Sequence, residues 1–442
     1  MVSGRLDGSD LEDVTVALNA QADVIHIDLR DKRYSDFRVP FQRDEVEDAL
    51  DNYAPDRLDA DPLVAFGSTL FNALFAGERG RGLWQMLDQV TRDNRALRLR
   101  IKTNLERTQH LPWELLFDAS RQDFVALSGR VALVRTRPDD YGLQKQLAPL
   151  ERLRMLAFTA DPSGELGVAD DMRRLRSLAT DHARRLQLEV LEQCTAGQLK
   201  KALGTGSFDV VFFLGRGEVA DEVSAAGGLR QSLQLVPEGA GDDGLLKRNE
   251  FGQWLHRAGV RLAVMAGSDS DWIARSLAKH VQASIGFRAH VHARTRHDAF
   301  ESLCKSILAG RPLDLAVTEA RQAIDRGQPG AGEWCRLIFY LQADNGRFLL
   351  EPLRELPMPE PAPLRPEAPQ DAPAPSRDLA LLLKLRQLYE SNLQALERTE
   401  GLVADDRWQS QATHLRTKLD ELGQRIAQVH GRDAPGGTNG RR

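Results

Sequence analysis

Two short segments of this chain are almost entirely apolar, and they constrain its fold more than any other feature. FDVVFFLG occupies residues 208–215, and RLAVMAG occupies residues 261–267. Near-continuous apolar runs of this length are typical of strands that are buried on both faces, as in parallel sheets covered by helices on each side. Amphipathic helical patterns alternate with strand patterns through residues 154–325, as βαβ units require. The sequence therefore predicts an α/β fold with a mainly parallel sheet flanked by helices.

The patterns also give the bounds of the expected elements. Short apolar runs bounded by turn residues predict six strands: Val24–Leu29, Leu97–Ile101, Val131–Arg135, Arg154–Thr159, Asp209–Leu214 and Val260–Ala266. Apolar residues that recur at spacings of three and four predict helices: Ala169–Leu186, Thr195–Leu203, Asn249–Ala258, Asp298–Leu308 and Leu313–Asp325. We divide this α/β region into an N-terminal part, 1–150, and a second part, 151–350.

The composition changes sharply after the α/β region. Residues 352–377 hold nine of the 20 prolines, and proline both fixes φ and removes a backbone hydrogen-bond donor. We therefore predict an extended linker over 351–377. The final segment, 433–442, is rich in glycine and polar residues and is predicted to be disordered.

A helical hairpin is predicted between the linker and the tail, over 378–432. Apolar residues from Leu382 to Leu396 recur at helical spacing, and Gly401 interrupts this pattern. From Trp408 to Val429, the spacing between successive apolar residues alternates strictly between four and three. The second run is a heptad seam, which is typical of coiled coils. A single hairpin of this size buries little core. Its seam therefore needs a partner, which is a second copy, another protein or the α/β body.

Charge and cysteine content exclude several classes of protein. The 59 basic and 64 acidic residues give a net charge of −5, which argues against a nucleic-acid binder. No apolar run is long enough to cross a membrane, and the first residues lack the pattern of a secretory signal. The three cysteines are too few for a disulfide framework, so free thiols and a cytoplasmic location are expected.

The two apolar strands end in short polar loops, which are the candidate site. Ligands of parallel α/β sheets bind at the carboxyl ends of the strands, and these strands are followed by 215–218 (GRGE) and 267–270 (GSDS). The first loop is too short for a phosphate-binding P-loop. The serines of the second lack a GxSxG elbow and are interpreted as turn and helix-cap residues.

Five segments of the chain form an ordered set: LPWELLFD (111–118), FVALS (124–128), RLRMLAFTADP (152–162), FDVVFFLGRGE (208–218) and GVRLAVMAGSDS (259–270). With further blocks between about residue 20 and residue 342, these segments resemble the CHAT family of caspase-like proteins of clan CD. The resemblance implies a caspase-like fold and a cysteine thiolate activated by a histidine. It also implies a bacterial protein of stress, defence or death signalling.

Both positions of that catalytic pair depart from the family pattern. Arg216 stands at the expected histidine, and Gly267 stands at the expected cysteine, or Ser268 if the register slips by one. Arginine stays protonated at pH 7 and glycine has no nucleophile. We therefore predict a pseudo-peptidase without cofactor or metal. Its relict cleft comprises Gly215, Arg216, Gly217, Glu218, Ser268, Asp269 and Ser270.

Other candidate groups are interpreted as structural. Cys304 and Cys335 lie in apolar patterns and are expected in the core, whereas Cys194, at a strand end, is expected to be the most exposed thiol. The basic segment 288–297 contains His290, His292 and His297; it is expected to be a solvated loop, because no thiol or carboxylate spacing completes a metal site.

Three functions stay open at this point. The favoured hypothesis is an inactive scaffold that binds protein partners, through the hairpin or as a homo-oligomer, without binding nucleic acid or membranes. The alternatives are a sensor that holds a peptide in the relict cleft and a residual cysteine or serine peptidase that uses Ser268. Arg216 is expected to lock the cleft through Glu218, Asp269 or Asp271, although its guanidinium could equally hold an acidic residue of a partner or a phosphate.

Overall fold

The chain divides into two compact units, Met1–Arg354 and Glu355–Arg442. The computed structural model describes residues 11–21, 24–29, 32–43, 45–46, 61–75, 77–93, 95–103, 105–138, 142–143, 146–161, 166–215, 217–223, 229–239, 241–329, 331–350, 416, 419–420 and 423. The predicted linker and tail lie outside the described residues, and so does the predicted hairpin except for four positions. These four are helical; Leu419 of the predicted seam is half-buried, and Arg416 and Asp420 are exposed.

One large sheet forms the frame of the first unit. Its strands are β1 (Leu11–Gln21), β2 (Val24–Leu29), β3 (Lys32–Phe37), β4 (Ala96–Thr103), β7 (Val131–Thr136), β8 (Leu153–Ala160), β9 (Leu186–Leu191), β10 (Val210–Gly215), β14 (Leu262–Met265), β15 (Ala283–Phe287) and β16 (Leu337–Leu341). Two smaller sheets comprise β5 (Phe117–Asp118) with β6 (Asp123–Phe124), and β11 (Gly217–Val223), β12 (Leu229–Gln234) and β13 (Leu245–Lys247).

The large sheet has the order β3-β2-β1-β4-β7-β16-β15-β14-β10-β8-β9. The neighbouring strands are parallel except in the pairs β1–β2, β2–β3 and β15–β16, which are antiparallel. Every residue of β10, β14, β15 and β16 is buried. The prediction of a mainly parallel sheet buried on both faces is therefore confirmed.

Helices cover both faces of this sheet. They are α1 (Asp61–Phe75), α2 (Glu78–Arg92), α3 (Glu106–Gln109), α4 (Val168–Asp181), α5 (Ala196–Thr205), α6 (Arg248–Arg257), α7 (Asp271–Leu277), α8 (Ala293–Leu308) and α9 (Leu313–Gly327). Because successive side chains of a strand point to opposite faces, Phe212 joins the apolar cluster that contains α8 and α9 residues. Phe213 joins the cluster that contains residues of α5, α6 and α7.

The predicted bounds were accurate for central strands and less so at helix ends. Helix α4 ends at Asp181 rather than Leu186, because Leu186 begins the edge strand β9, parallel to β8. Helix α8 begins at Ala293 rather than Asp298, since its first turn, ARTRH, carries no apolar signal. The short strand β15 and helix α7 were missed, because ASIGF and DWIARSL are too short to show a clear period.

A buried ion network lies beneath the carboxyl end of β7, and it involves the LPWE segment. The Glu114 carboxylate is fully buried and accepts hydrogen bonds from Arg135, at 2.9 Å from Nε and 2.5 Å from Nη2. Arg321 Nη2 lies 3.7 Å from Glu114 Oε1. Burial alone would raise the pKa of Glu114, but the nearby guanidinium groups outweigh it and hold this pKa below its ordinary value. The Glu114 carboxylate is therefore a structural anion that joins its own turn to Arg135 of strand β7 and Arg321 of helix α9.

In the described part of the chain, no helix is both long and apolar enough to cross a membrane.

Candidate functional site

The two loops singled out in the sequence do come together, at the carboxyl edge of neighbouring strands. β10 and β14 are paired in parallel, and the Ala266 N–H donates to Phe213 O at 2.8 Å just beyond that pairing. Gly215 ends β10, and Gly267 follows β14 by two residues. The edge expected from the order of strands is therefore present.

Neither Gly215 nor Gly267 has room for a side chain. A Cβ placed on Gly267 would lie 2.2 Å from Gly215 O, whereas a Cβ on Gly215 would lie 2.3 Å from the Phe213 ring and 2.9 Å from Ala160 O. The contact at Gly267 is with a backbone atom, which cannot move aside as a flexible side chain can. The position at which the resemblance expects a cysteine is thus closed to any side chain in this arrangement.

The first loop is only partly described. Arg216 lies outside the described residues, so the predicted lock by its guanidinium stays a prediction. Gly217 and Glu218 belong to β11, whose backbone pairs with β12. Asp271, one of the proposed partners of Arg216, lies 3.5 Å from Arg288 Nε.

Ser268 meets a histidine that the sequence could not assign to it. Ser268 Oγ lies 3.5 Å from His290 Nδ1 and accepts a hydrogen bond from the Val291 N–H at 3.1 Å. His290 is exposed and follows β15 by three residues. The pairing arises because β14 and β15 are parallel neighbours, so the segments that follow them leave the sheet at one edge. If ASIGF had been recognised as a strand, the proximity of Ser268 and His290 could have been predicted from the sequence.

The same two segments carry backbone strain. Asp269 has φ of 53° and Ala289 has φ of 60°, in the left-handed region that non-glycine residues rarely adopt. The two residues face each other, since the Asp269 N–H donates to Ala289 O at 3.0 Å. Strain of this kind persists only where surrounding contacts impose it, and here it holds the serine and histidine segments together.

Ser270 is not the helix cap that the sequence analysis expected. It precedes α7, yet its side chain caps no N–H of that helix. Its Oγ is buried instead, 2.7 Å from Met265 O and 2.6 Å from Gly267 O, and it accepts the Phe287 N–H at 2.9 Å. The hydroxyl therefore joins the end of β14 to β15, because the turn directs it into the sheet rather than along the helix.

All three cysteines are free and buried. The prediction was right for Cys304 and Cys335 but wrong for Cys194, which is fully buried because the adjacent strand and helix α5 enclose it. Burial raises the pKa of each thiol to about 12. A thiol with this pKa is almost entirely protonated at neutral pH and is a poor nucleophile.

The three histidines of the basic segment do not act as one group. His290 and His292 are exposed, with ring centroids 5.6 Å apart, whereas His297 lies within α8 with Nε2 2.7 Å from Asp171 Oδ1. Part of the expected loop is thus the first turn of α8. Within the described residues, no group of three or more His, Cys, Asp or Glu side chains is arranged to hold a metal ion.

Comparison with known proteins gives one family match. The family model described as CHAT domain matches residues 77–373, so it begins and ends later than the resemblance seen in the sequence. No curated protein gives a significant match.

Among solved structures, the chain is similar to two crystal structures of the Saccharomyces cerevisiae separase–securin complex. The TM-scores are 0.37 and 0.35 at 12% identity, and the matches cover 73% and 68% of this chain. They cover 21% and 20% of the other chains, so this chain spans about a fifth of the length of those structures.

Proposed function

This chain belongs to the CHAT domain family, and from that premise we propose that it is a caspase-like scaffold that has lost the thiol chemistry of a peptidase. It binds protein partners through surfaces of the α/β unit or through the C-terminal helical segment. We place it in the reducing cytoplasm of a bacterium, within a stress, defence or death-signalling system. The resemblance supports that setting, and the three free thiols support the compartment.

One observation carries the proposal: the close approach of Gly267 to Gly215. A nucleophile at position 267 would need a side chain, and its Cβ would meet a backbone oxygen at 2.2 Å. The three thiols of the chain are buried elsewhere, with pKa values of about 12. Among the described residues at these strand ends there is no thiol, and position 267 has no room for one; this supports the proposal that the family's cysteine chemistry is lost while the frame is kept.

The contact between Ser268 and His290 favours a second candidate, a residual serine hydrolase. An imidazole within reach of a hydroxyl can act as its general base. However, Ser268 Oγ also accepts the N–H of Val291, and the 3.5 Å separation from His290 Nδ1 is long for a hydrogen bond. The hydroxyl is thus engaged in holding the loop, and we rank this candidate second.

A single experiment separates the two candidates. The full chain is incubated with a panel of fluorogenic peptides and with a fluorophosphonate probe, alongside the variant Ser268→Ala and the control Ser177→Ala, which alters an exposed serine of α4. The scaffold proposal expects no turnover and no labelling of Ser268. Turnover or labelling that Ser268→Ala abolishes and Ser177→Ala leaves intact would overturn the proposal and establish the hydrolase.

A further inference from the structure

A cavity of about 260 Å³ lies between helices α4 and α8, above strand β10. It lies on the face of the sheet to which Phe212 points, whereas the glycine loops lie at the carboxyl edge. Its walls are formed by Asp171, Arg174, Leu175, Ser177, Leu178, Asp181, Phe212, His297, Phe300, Glu301, Cys304 and Lys305. This volume is slightly below that of pockets that hold drug-sized molecules, so the cavity suits a smaller ligand.

The floor of the cavity is apolar. Phe212 and Phe300 meet edge to face with centroids 4.8 Å apart, and both are buried, as is Cys304. Phe212 and Cys304 also line a second, smaller crevice whose walls are entirely apolar. An apolar group that enters between the helices therefore meets continuous hydrocarbon and aromatic surface, which is the main source of affinity for such a group.

The mouth of the cavity is charged, and cations from both helices meet there. Lys305 Nζ of α8 lies 2.5 Å from Glu301 Oε1, and Arg174 Nη1 of α4 lies 3.7 Å from Glu301 Oε2. Two positive charges thus share one carboxylate, so these three side chains together carry a net positive charge, and Asp181, two turns after Arg174 on α4, is the other acid in this part of the lining. Their convergence on Glu301 shows that a carboxylate can reach both side chains at this mouth.

The inner acid of the cavity is already neutralised. Asp171 Oδ2 accepts from Arg296 Nη2 at 2.7 Å, and Asp171 Oδ1 lies 2.7 Å from His297 Nε2. These contacts join the first turn of α4 to α8. An anionic ligand would therefore find its counter-charge at Arg174 and Lys305 rather than beside Asp171.

We propose that this cavity binds a small amphiphilic carboxylate. Its apolar chain lies against Phe212, Phe300 and Leu178, and its carboxylate accepts hydrogen bonds from Arg174 and Lys305 beside Glu301. The inference goes beyond the scaffold proposal, since it requires neither the loss of peptidase chemistry nor the C-terminal helices.

The test is calorimetric titration of the full chain with octanoate, with 1-octanol and octylamine as neutral and cationic probes of the same chain. Octanoate should bind about tenfold more tightly than 1-octanol, because charge-assisted hydrogen bonds exceed neutral ones by about 1.4 kcal/mol. From hexanoate to octanoate, each methylene should tighten binding about fourfold. Octylamine that binds as tightly as octanoate would overturn the proposal and would point to Asp181 as the selecting charge.

Variants locate the site and confirm the sign of the charge. Arg174→Gln and Lys305→Gln should each weaken octanoate binding several-fold, whereas the control Arg173→Gln, on the same helix but outside the cavity, should leave it unchanged. Glu301→Gln should tighten binding, because it removes the competing carboxylate. Absence of octanoate binding, or equal weakening by Arg173→Gln, would refute the proposal.

A cavity-filling variant provides a test that does not depend on charge. Leu178→Trp, at a half-buried position of α4, should abolish binding of both octanoate and 1-octanol while circular dichroism shows a folded protein. If this folded variant binds octanoate like the wild type, the ligand lies elsewhere and the proposal fails.

Discussion

At the scale of single residues, Glu114 shows how a family signature can serve the frame rather than the chemistry. Its carboxylate lies among Arg135 and Arg321, far from solvent, and each guanidinium also reaches backbone carbonyls: Leu111 O for Arg135 and Leu133 O for Arg321. Buried ion networks of this kind are costly to break, because removal of one partner leaves an uncompensated buried charge. We therefore attribute this part of the LPWE segment to folding.

Glu114→Gln should destabilise the protein by about 3–5 kcal/mol at pH 7, because Arg135 and Arg321 then lose their counter-charge in the core. Chemical denaturation of wild type and variant measures the difference. The exposed acid Asp170 of α4 offers a control, and Asp170→Asn should change stability by less than about 1 kcal/mol.

The difference in stability between wild type and Glu114→Gln should also depend on pH. The pKa of Glu114 is lowered in the folded state from the ordinary value of 4.5, so its stabilising contribution is complete above about pH 4.5 and is lost as the pH falls through the folded-state value. The difference between wild type and Glu114→Gln should therefore shrink in acid. A difference that stays constant from pH 7 to pH 3 would contradict this account.

At the scale of elements, the junction between β14 and β15 decides the geometry of the candidate site. Ser270 Oγ joins the two strands, and the backbone pair of Asp269 and Ala289 continues the junction outward. Glycine at position 286 allows the two segments to approach this closely, since a Cβ there would lie 2.6 Å from Ser270 O. Ser268 and His290 meet because these contacts hold their segments side by side.

Ser270→Ala should destabilise the protein by about 1–3 kcal/mol, because it leaves the buried Phe287 N–H without its acceptor. Hydrogen exchange should show faster exchange at Phe287 than in the wild type, while the exposed variant Ser177→Ala should match the wild type. Unchanged protection at Phe287 would mean that the hydroxyl does not join these strands.

At the scale of the whole molecule, the α/β unit and the C-terminal segment raise separate questions. The first unit has a buried core on each face of its sheet, whereas the heptad seam of residues 408–429 is a sequence pattern that needs a partner. Linked binding modules gain avidity through effective concentration. A scaffold is therefore expected to use its seam for assembly.

Deletion of residues 378–442 should lower the oligomeric state that light scattering reports for the full chain. Replacement of two seam residues, Leu415→Asp with Leu422→Asp, should have the same effect, because charges oppose burial of the seam. Gln411→Asp, off the seam, is the matched control. A truncated chain that assembles like the full chain would show that the seam is not the assembly element.

Local sequence patterns were enough to identify the central strands, the class of fold and the family. The sequence also showed that no histidine stands at 216 and no cysteine at 267. These follow from local pattern and residue type, because a strand buried on both faces must be apolar and a missing side chain cannot react. Short elements such as β15 have too few residues to show a period. The expected exposure of Cys194 was wrong for a related reason, since a local pattern does not reveal which other elements pack against a residue.

Which distant residues meet could not be predicted from the sequence, because it depends on the packing of the whole chain. Ser268 and His290 are 22 positions apart, Glu114 and Arg321 belong to separate blocks, and the walls of the cavity come from helices more than a hundred residues apart. These contacts depend on the order of strands and on how each helix lies across the sheet. A linear pattern specifies which face of an element is buried, but the element that covers this face is set by the packing of the whole chain.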